Sequence, residues 1–389
     1  DVSAAEKGGY EHFMMKEIEE QPKAIRDTIS PRIKDGKIVL DDISLTEEDI
    51  KNIIEEMPDK ICDNCTFLIT GANGFLASYM VDTLMYMKKT VRIRNCSVIA
   101  LCRNKEKAET AFREWIGDNG FKIIINSVEK KIEIDEKIDY IIHAAGNSAT
   151  RSHRSDPVGL IEANAIGTYN LLELAKSKNV KSFLFFSSGA VYGETEECEL
   201  RENKIYNLDY SNIRNAYGCS KRMGEAISIY FWKQYNVPIK IVRISHTYGN
   251  GIDIDDGHVY SDFTKSIILN KNLEIKGTGK DARPFCYISD AIIAFWLILL
   301  KGENGEAYNM ANTKENWTIE ELANILVDFV FKDRNLKVMY SDKSHDIKVN
   351  KKNVNTDKLE SLGWNPSVSV KEGFKRLVES LENDNEVGK

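Results

Sequence analysis

The sequence predicts an α/β protein, a doubly wound parallel sheet with a smaller C-terminal lobe, and three observations carry that expectation. From Cys65 onward, short uninterrupted apolar runs recur at residues 66–70, 97–102, 122–126, 140–143, 182–187 and 239–244. Runs of this kind, bounded by turns, are how strands buried on both faces read. Helical periodicity fills the intervals at 76–87, 105–115, 157–178 and 221–235, which makes repeated βαβ units. The first run also passes directly into Gly71-Ala-Asn-Gly74-Phe-Leu-Ala77, where a helix begins.

Taken in order, residues 1–60 form an N-terminal extension, charged, mainly helical or extended, with short amphipathic stretches at 11–29 and 46–57. Residues 61–245 carry the Rossmann-type dinucleotide-binding sheet. Residues 246–389 form the lobe over the carboxyl ends of the strands, with some sheet elements interleaved. In open α/β sheets that crevice is where ligands bind.

Composition narrows the class. Of 389 residues, 42% are hydrophobic and 29% charged, ordinary values for a soluble globular protein. A net charge of −7 speaks against nucleic acid as a partner, since such proteins carry a basic domain or stripe. No apolar run reaches the ~18 residues of a membrane span. No basic region followed by an apolar stretch opens the chain, so no secretory signal is expected. The chain starts at Asp1 without a methionine, which fits a fragment or a fusion. Seven scattered cysteines fit reduced thiols in the cytoplasm. Cys62 and Cys65 form a CxxC, but no second ligand pair follows, so no metal site is expected.

The glycine turn is the first chemical signal. Gly71 allows the tight turn, Gly74 lets the backbone approach a pyrophosphate, and Ala77 stands where close helix–strand packing is needed. The helix N-terminus beyond offers free N–H groups and partial positive charge to phosphates. The second run ends Cys102-Arg103-Asn104-Lys105, with no carboxylate for the adenosine ribose of NAD. Arg103 is placed to pair with a 2′-phosphate, so between NAD and NADP the sequence leans slightly to NADP.

Two further stretches carry chemistry: Phe185-Phe-Ser-Ser188-Gly-Ala-Val-Tyr-Gly193 ends a buried run, and Tyr217-Gly-Cys-Ser-Lys221 opens a helix. Tyrosine and lysine at i, i+4 share a helix face. An ammonium beside a phenol favours phenolate, a base able to take a hydroxyl proton as hydride leaves.

With HAAG (143–146), ANAIGTYNLLELA (163–175), RISHTYGNG (243–251), ARPFCYISD (282–290) and LGWNP (362–366), these stretches resemble the extended short-chain dehydrogenase/reductase family. Within it they are similar to the nucleotide-sugar epimerases, dehydratases and decarboxylases, over about residues 60–380. The resemblance implies Tyr217 as base, Lys221 as the residue that holds the ribose and tunes Tyr217, and Ser188 as hydrogen-bond partner of the reacting hydroxyl. It places Gly71, Asn73, Gly74, Phe75, Leu76, Arg103, Asn104, Ala144, Ala145 and Gly146 at the cofactor, together with Tyr217 and Lys221. Ser188, Gly189, His246 and Arg283 fall to the substrate, with Arg283 at the nucleotide diphosphate. His143 is expected as strand-end packing, Glu225 as a brace, and His246 as a neutral polar contact in place of the family's common asparagine. A nucleotide-diphosphate sugar is the implied substrate and a homodimer the expected assembly.

Departures from the family pattern choose among reactions. The 4,6-dehydratases place an Asp–Glu pair after the position of Ser188, and the decarboxylases keep a glutamate at the second of these; here the two are Gly189 and Ala190. A missing acid or base forfeits roughly two to four decades of rate. A 4-epimerase is therefore the leading expectation and a 4-keto-sugar reductase the next. A dehydratase or decarboxylase using groups from elsewhere follows, with a non-catalytic cofactor-binding module as the remote alternative. Residues 5–50 resemble the interdomain connector of glutamine–fructose-6-phosphate aminotransferase, read here as an inert remnant rather than a tether.

Overall fold

The computed structural model describes residues 33–34, 37–38, 45–57, 63–90, 92–146, 156–341 and 353–387. The chain divides into two compact units, Asp1–Glu48 and Asp49–Lys389. In the first, Ile33–Lys34 and Lys37–Ile38 pair as an antiparallel hairpin. The amphipathic stretch expected at 11–29 and Cys62 of the CxxC lie outside the described residues.

Helix α1 (Leu45–Glu56) runs into the second unit. Ile50, Ile53, Ile54 and Met57 are buried, at the i, i+3, i+4, i+7 spacing of one apolar stripe. Asp49 beside them is fully buried. It accepts the Tyr287 hydroxyl at 2.9 Å and the Asn250 amide at 3.4 Å, and pairs with Arg376 at 3.3 Å. The main unit thus begins at Asp49, earlier than the boundary after residue 60 read from composition. A helix this short is held by tertiary cover of its stripe rather than by its own propensity.

Seven parallel strands build the sheet: β1 (Thr66–Thr70), β2 (Ser97–Cys102), β3 (Phe121–Ile125), β4 (Tyr140–His143), β5 (Ser182–Ser188), β6 (Ile239–Ile244) and β7 (Glu306–Met310). Their order is β3-β2-β1-β4-β5-β6-β7, and every pairing is parallel. The strand order reverses between β1 and β4, which is where such folds open a ligand crevice. The main helices are α2 (Phe75–Lys89), α3 (Lys105–Ala111), α4 (Gly167–Lys178), α5 (Ala216–Tyr235), α6 (Val259–Ile268), α7 (Ile288–Lys301) and α8 (Val370–Val387). One core face sets Phe67, Ile69, Tyr140, Ile142, Leu184 and Phe186 with α2 and α7; the other sets Leu68, Ile99, Ile141, Phe183 and Phe185 with α4 and α5. Cover on both faces is why these strands read as continuous apolar runs.

Two features differ from expectation. The run read as one helix over 157–178 contains a wider turn, Glu162–Ile166, between Pro157–Ile161 and α4. The edge strand β7 went unread. β7 lies late in the chain yet pairs with β6, and α7 packs with β5 and β6, so the sheet layer and the C-terminal lobe form one unit. Short pairs complete that lobe, among them Ala282–Pro284 with Asn316–Thr318 and Thr247–Tyr248 with Cys286–Tyr287. Among the described residues no helix is long and apolar enough to cross a membrane.

Candidate active site

At the end of β1 the chain turns through Gly71, whose φ is +60°. A Cβ there would meet the Ala145 Cα at 2.8 Å, so the left-handed backbone and the close approach both require glycine. The Gly74 N–H closes the turn on the Gly71 carbonyl at 2.8 Å. Gly74 is also the N-cap of α2, and no side chain caps that terminus. The N–H groups of its first turn are thereby left to a ligand.

The turn forms one wall of a cavity of about 660 Å³. Of the cofactor residues expected from sequence, Gly71, Gly74, Phe75, Leu76, Ala144, Gly146, Tyr217 and Lys221 line it, whereas Asn73, Arg103, Asn104 and Ala145 do not. Asn104 spends its side chain capping α3, accepting the Lys107 N–H at 2.9 Å. Arg103 is exposed and lies by Glu129. Partial burial of that carboxylate is outweighed by a Ser127 hydrogen bond and by the charges of Arg103 and Lys130, which hold it below its usual range.

His143, at the end of β4, is sealed between two hydroxyls, Thr70 at 2.9 Å and Thr168 at 3.0 Å. Thr168 gives its own proton to the Asn164 carbonyl at 2.6 Å, so it receives the His143 Nε2–H while Nδ1 accepts from Thr70. Burial, with the Lys221 charge adding to it, pushes the imidazole down to about 3. His143 is neutral packing, as its position in HAAG suggested.

β5 and α5 bring the expected catalytic trio together. Ser188 accepts the Ala190 N–H at 3.2 Å and is hydrogen-bonded to the Tyr217 hydroxyl. Lys221 is 4% exposed and donates to the Phe186 carbonyl at 2.7 Å; its Nζ lies 5.9 Å from the centre of the Tyr217 ring. Burial pulls its ammonium down to about 7, with Glu225 opposing. The phenol of Tyr217 is raised by burial, which the Ser188 hydrogen bond only partly offsets. In the protein by itself desolvation wins over the neighbouring groups that favour phenolate. Asn164, in the widened turn before α4, was not singled out from sequence. It is fully buried, and its Oδ1 lacks a hydrogen-bond partner. That oxygen would be 3.0 Å from a Cβ at Gly146, and Lys221 Nζ 3.4 Å from it, so both polar groups crowd the same spot on the cavity wall.

The substrate side takes Gly189, His246 and Arg283, all lining the cavity as expected. His246 is held down to about 3 by burial and by the Arg283 and His258 charges, which makes it a neutral contact and no proton donor near pH 7. Arg283 is steadied by the Ala282 carbonyl at 3.0 Å and Asp281 at 3.5 Å. Sequence reading missed His258 and Tyr260, whose rings stack 5.1 Å apart; His258 also pairs with Asp256 at 3.0 Å. The acidic Asp255-Asp256-Gly257 turn before a helix was the available signal. No Asp or Glu side chain is among the described residues that line the cavity.

The fold and this cavity define a dinucleotide-dependent enzyme of the doubly wound α/β class. Residues 67–311 match the NAD dependent epimerase/dehydratase family. UDP-glucuronic acid decarboxylase 6 of Arabidopsis thaliana is 30% identical over 318 residues, 82% of this chain and 89% of that protein. Among solved structures, the epimerase Mth375 of Methanothermobacter thermautotrophicus superposes with a TM-score of 0.70 at 22% identity, covering 87% of this chain and 96% of the other. The UDP-glucuronic acid 4-epimerase of Bacillus cereus, solved with UDP-glucuronic acid and NAD, gives 0.67 at 22%, covering 82% and 99%. The chain belongs to the NAD dependent epimerase/dehydratase family and is an enzyme of it. The lean to NADP gains no support: the family is NAD dependent, and Arg103 lies outside the cavity beside a carboxylate.

Proposed function

We propose that this enzyme binds NAD and decarboxylates a nucleotide-linked hexuronic acid after oxidation at C4. The observation that carries the reading is one cavity that holds Ser188, Tyr217, Lys221 and Arg283 and no carboxylate among its described lining. One lysine and one arginine in a lining that holds no carboxylate suit an anionic ligand. The relatives named as UDP-glucuronic acid decarboxylases support the sugar acid.

The residues present fit the cofactor. The Gly71 cradle that a Cβ would fill and the uncapped start of α2 would hold its pyrophosphate, and Lys221 its ribose. NAD, when bound, supplies the hydride acceptor for C4. Tyr217 takes the proton of the C4 hydroxyl while Ser188 holds that oxygen. A positive charge brought beside the buried phenol would lower it from the raised state it has in the protein alone. Once C4 is a ketone, the C6 carboxylate is a β-keto acid. The C5–C6 bond breaks, carbon dioxide leaves, and the electron pair moves to the C4 oxygen, where Ser188 and Tyr217 stabilise it; C5 then takes a proton from water, and C4 takes back the hydride while Tyr217 returns its proton to the C4 oxygen. Breaking that bond needs no carboxylate base, so Gly189 and Ala190 weigh less against decarboxylation than against dehydration, although Ala190 stands where the family's decarboxylases keep a glutamate. Arg283 would hold the diphosphate.

The same missing carboxylates favour a second reading, 4-epimerisation, which also asks only for hydride and proton exchange at C4. A homodimer and a reducing, cytoplasmic setting remain part of the proposal. The test is UDP-glucuronic acid with the purified enzyme, the product read by mass spectrometry and NMR. Loss of carbon dioxide is expected. An unchanged mass with C4 inverted would replace the decarboxylase by the epimerase, and loss of water would overturn both.

A further inference from the structure

Glu225 takes no part in the chemistry above, yet it sits at the centre of a buried cluster under the catalytic residues. It follows Lys221 by one turn on the same face of α5. Its Oε1 accepts from Ser187 Oγ at 2.5 Å and from Arg243 Nε at 3.0 Å, and its Oε2 accepts from Arg243 Nη2 at 2.8 Å. Arg243, on β6, donates its remaining nitrogen to the Tyr192 hydroxyl and to the Glu202 carbonyl, both at 3.1 Å. Tyr192 donates in turn to Asn309 Oδ1 at 2.7 Å. Asn309, on β7, is fixed by the Glu202 carboxylate on its N–H at 2.8 Å and by the Asn355 carbonyl at 3.0 Å. Ser187, Tyr192, Glu225, Arg243 and Asn309 are all buried. Ser187, Tyr192 and Asn309 also line the cavity.

A fold does not need charges at such a place. Replacing a buried ion pair by packed apolar side chains of similar volume is often neutral or stabilising. What the pair supplies is direction. Anchoring Ser187 to Glu225 ties the last residues of β5 to α5, and Ser188, the next residue of the strand, meets Tyr217 of the same helix. The same carboxylate is fixed to the helix that carries Lys221, and the guanidinium spans from there to the cavity floor at Tyr192 and Asn309.

We propose that Glu225 and Arg243 are positioning residues: their buried pair sets Ser188 and Lys221 at one point of the cavity and holds Tyr192 and Asn309 rigid beneath the sugar. The inference rests on the nucleotide-sugar reading above. Its test compares wild type, Ser187→Ala and the double variant Glu225→Leu/Arg243→Met for turnover of UDP-glucuronic acid, with Tm and NAD affinity measured beside it. The double variant should stay folded and bind NAD and substrate as wild type does. Its kcat should fall about a hundredfold at unchanged KM, as displacement of reacting groups by an ångström does. Ser187→Ala, which cuts only the arm to Ser188, should lose about tenfold, the worth of one ordinary hydrogen bond. Wild-type kcat in the double variant overturns the inference. A substrate-independent readout separates its failure from that of the functional reading. Ultraviolet titration of the Tyr217 phenol, each background read against its Tyr217→Phe version, should shift by about one unit when Ser188 and Lys221 are displaced. An unchanged titration overturns the positioning role whether or not UDP-glucuronic acid is turned over, whereas an inactive wild type sinks only the functional reading.

Discussion

The two walls of the cavity are made of different material. On the side proposed for the cofactor it is mostly backbone: Gly71, Gly74, Ala144, Gly146 and the first turn of α2, with Lys221 at its border. On the substrate side it is side chain: Ser188, Tyr217, His246, His258, Tyr260 and Arg283, drawn from β5, α5, the segment after β6, α6 with its cap, and the Ala282–Pro284 strand. A backbone wall recognises a group common to every dinucleotide, through N–H directions and a helix end. A side-chain wall divides its work among separate groups, each of which can be removed alone. The first should therefore fail as a whole and the second one step at a time.

Tyr217→Phe should give the largest effect and the cleanest test of that division. It removes the proton acceptor and little else, because the ring stays in place and the wall that binds NAD is untouched. Turnover should fall by about two to four decades, with Tm and NAD affinity as in wild type. A variant that lost NAD binding in calorimetry would show that the walls are not separable.

Gly71→Ala probes the other wall. Its φ of +60° and the Cβ contact of 2.8 Å with Ala145 Cα leave no room for the methyl group. The left-handed backbone alone costs about 1–2 kcal/mol, and the neighbour is main chain, which does not rotate away. NAD affinity should drop by about tenfold or more and Tm should fall with it. Wild-type affinity with a lowered Tm would mean that the turn holds the fold and not the cofactor.

How much of this was legible follows the same line. The glycine turn reads from sequence because backbone geometry forces residue type there. β1, β2, β4 and β6 read because cover on both faces forces apolar runs. Ser188, Tyr217 and Lys221 read because a helix face and a strand end fix their spacing. The strand β7 did not, since Glu306-Ala-Tyr-Asn-Met at a sheet edge has no continuous apolar run. His258, Tyr260 and Asn309 reach the cavity from separate elements, and only tertiary packing brings them together. Asp49 is similar: nothing local distinguishes it from its acidic neighbours, yet it is the one buried against Arg376 and Tyr287. Ala190 leaves the reaction open: its missing carboxylate argues against dehydration and does not by itself choose between epimerisation and decarboxylation.

The smallest effect should come from Arg103→Ala, and its smallness is the point. The sequence offered Arg103 as a partner for a 2′-phosphate because no carboxylate ends β2. In the structure the side chain is exposed, outside the cavity, and its charge already acts on Glu129. A charge interaction at so exposed a side chain is worth about 0–1 kcal/mol. If Arg103 takes no part in the cofactor wall, removing the guanidinium should change the Kd for NAD by less than about threefold, the range of a weak exposed charge interaction. NADP should bind no better than NAD in either protein. The measurement is a titration of both cofactors against wild type and variant at two salt concentrations, since an exposed charge effect fades as salt screens it. A loss of NADP binding of about tenfold or more with NAD unchanged, the signature of a charge-assisted bidentate contact, would put a side chain into the wall described here as backbone and return the lean to NADP.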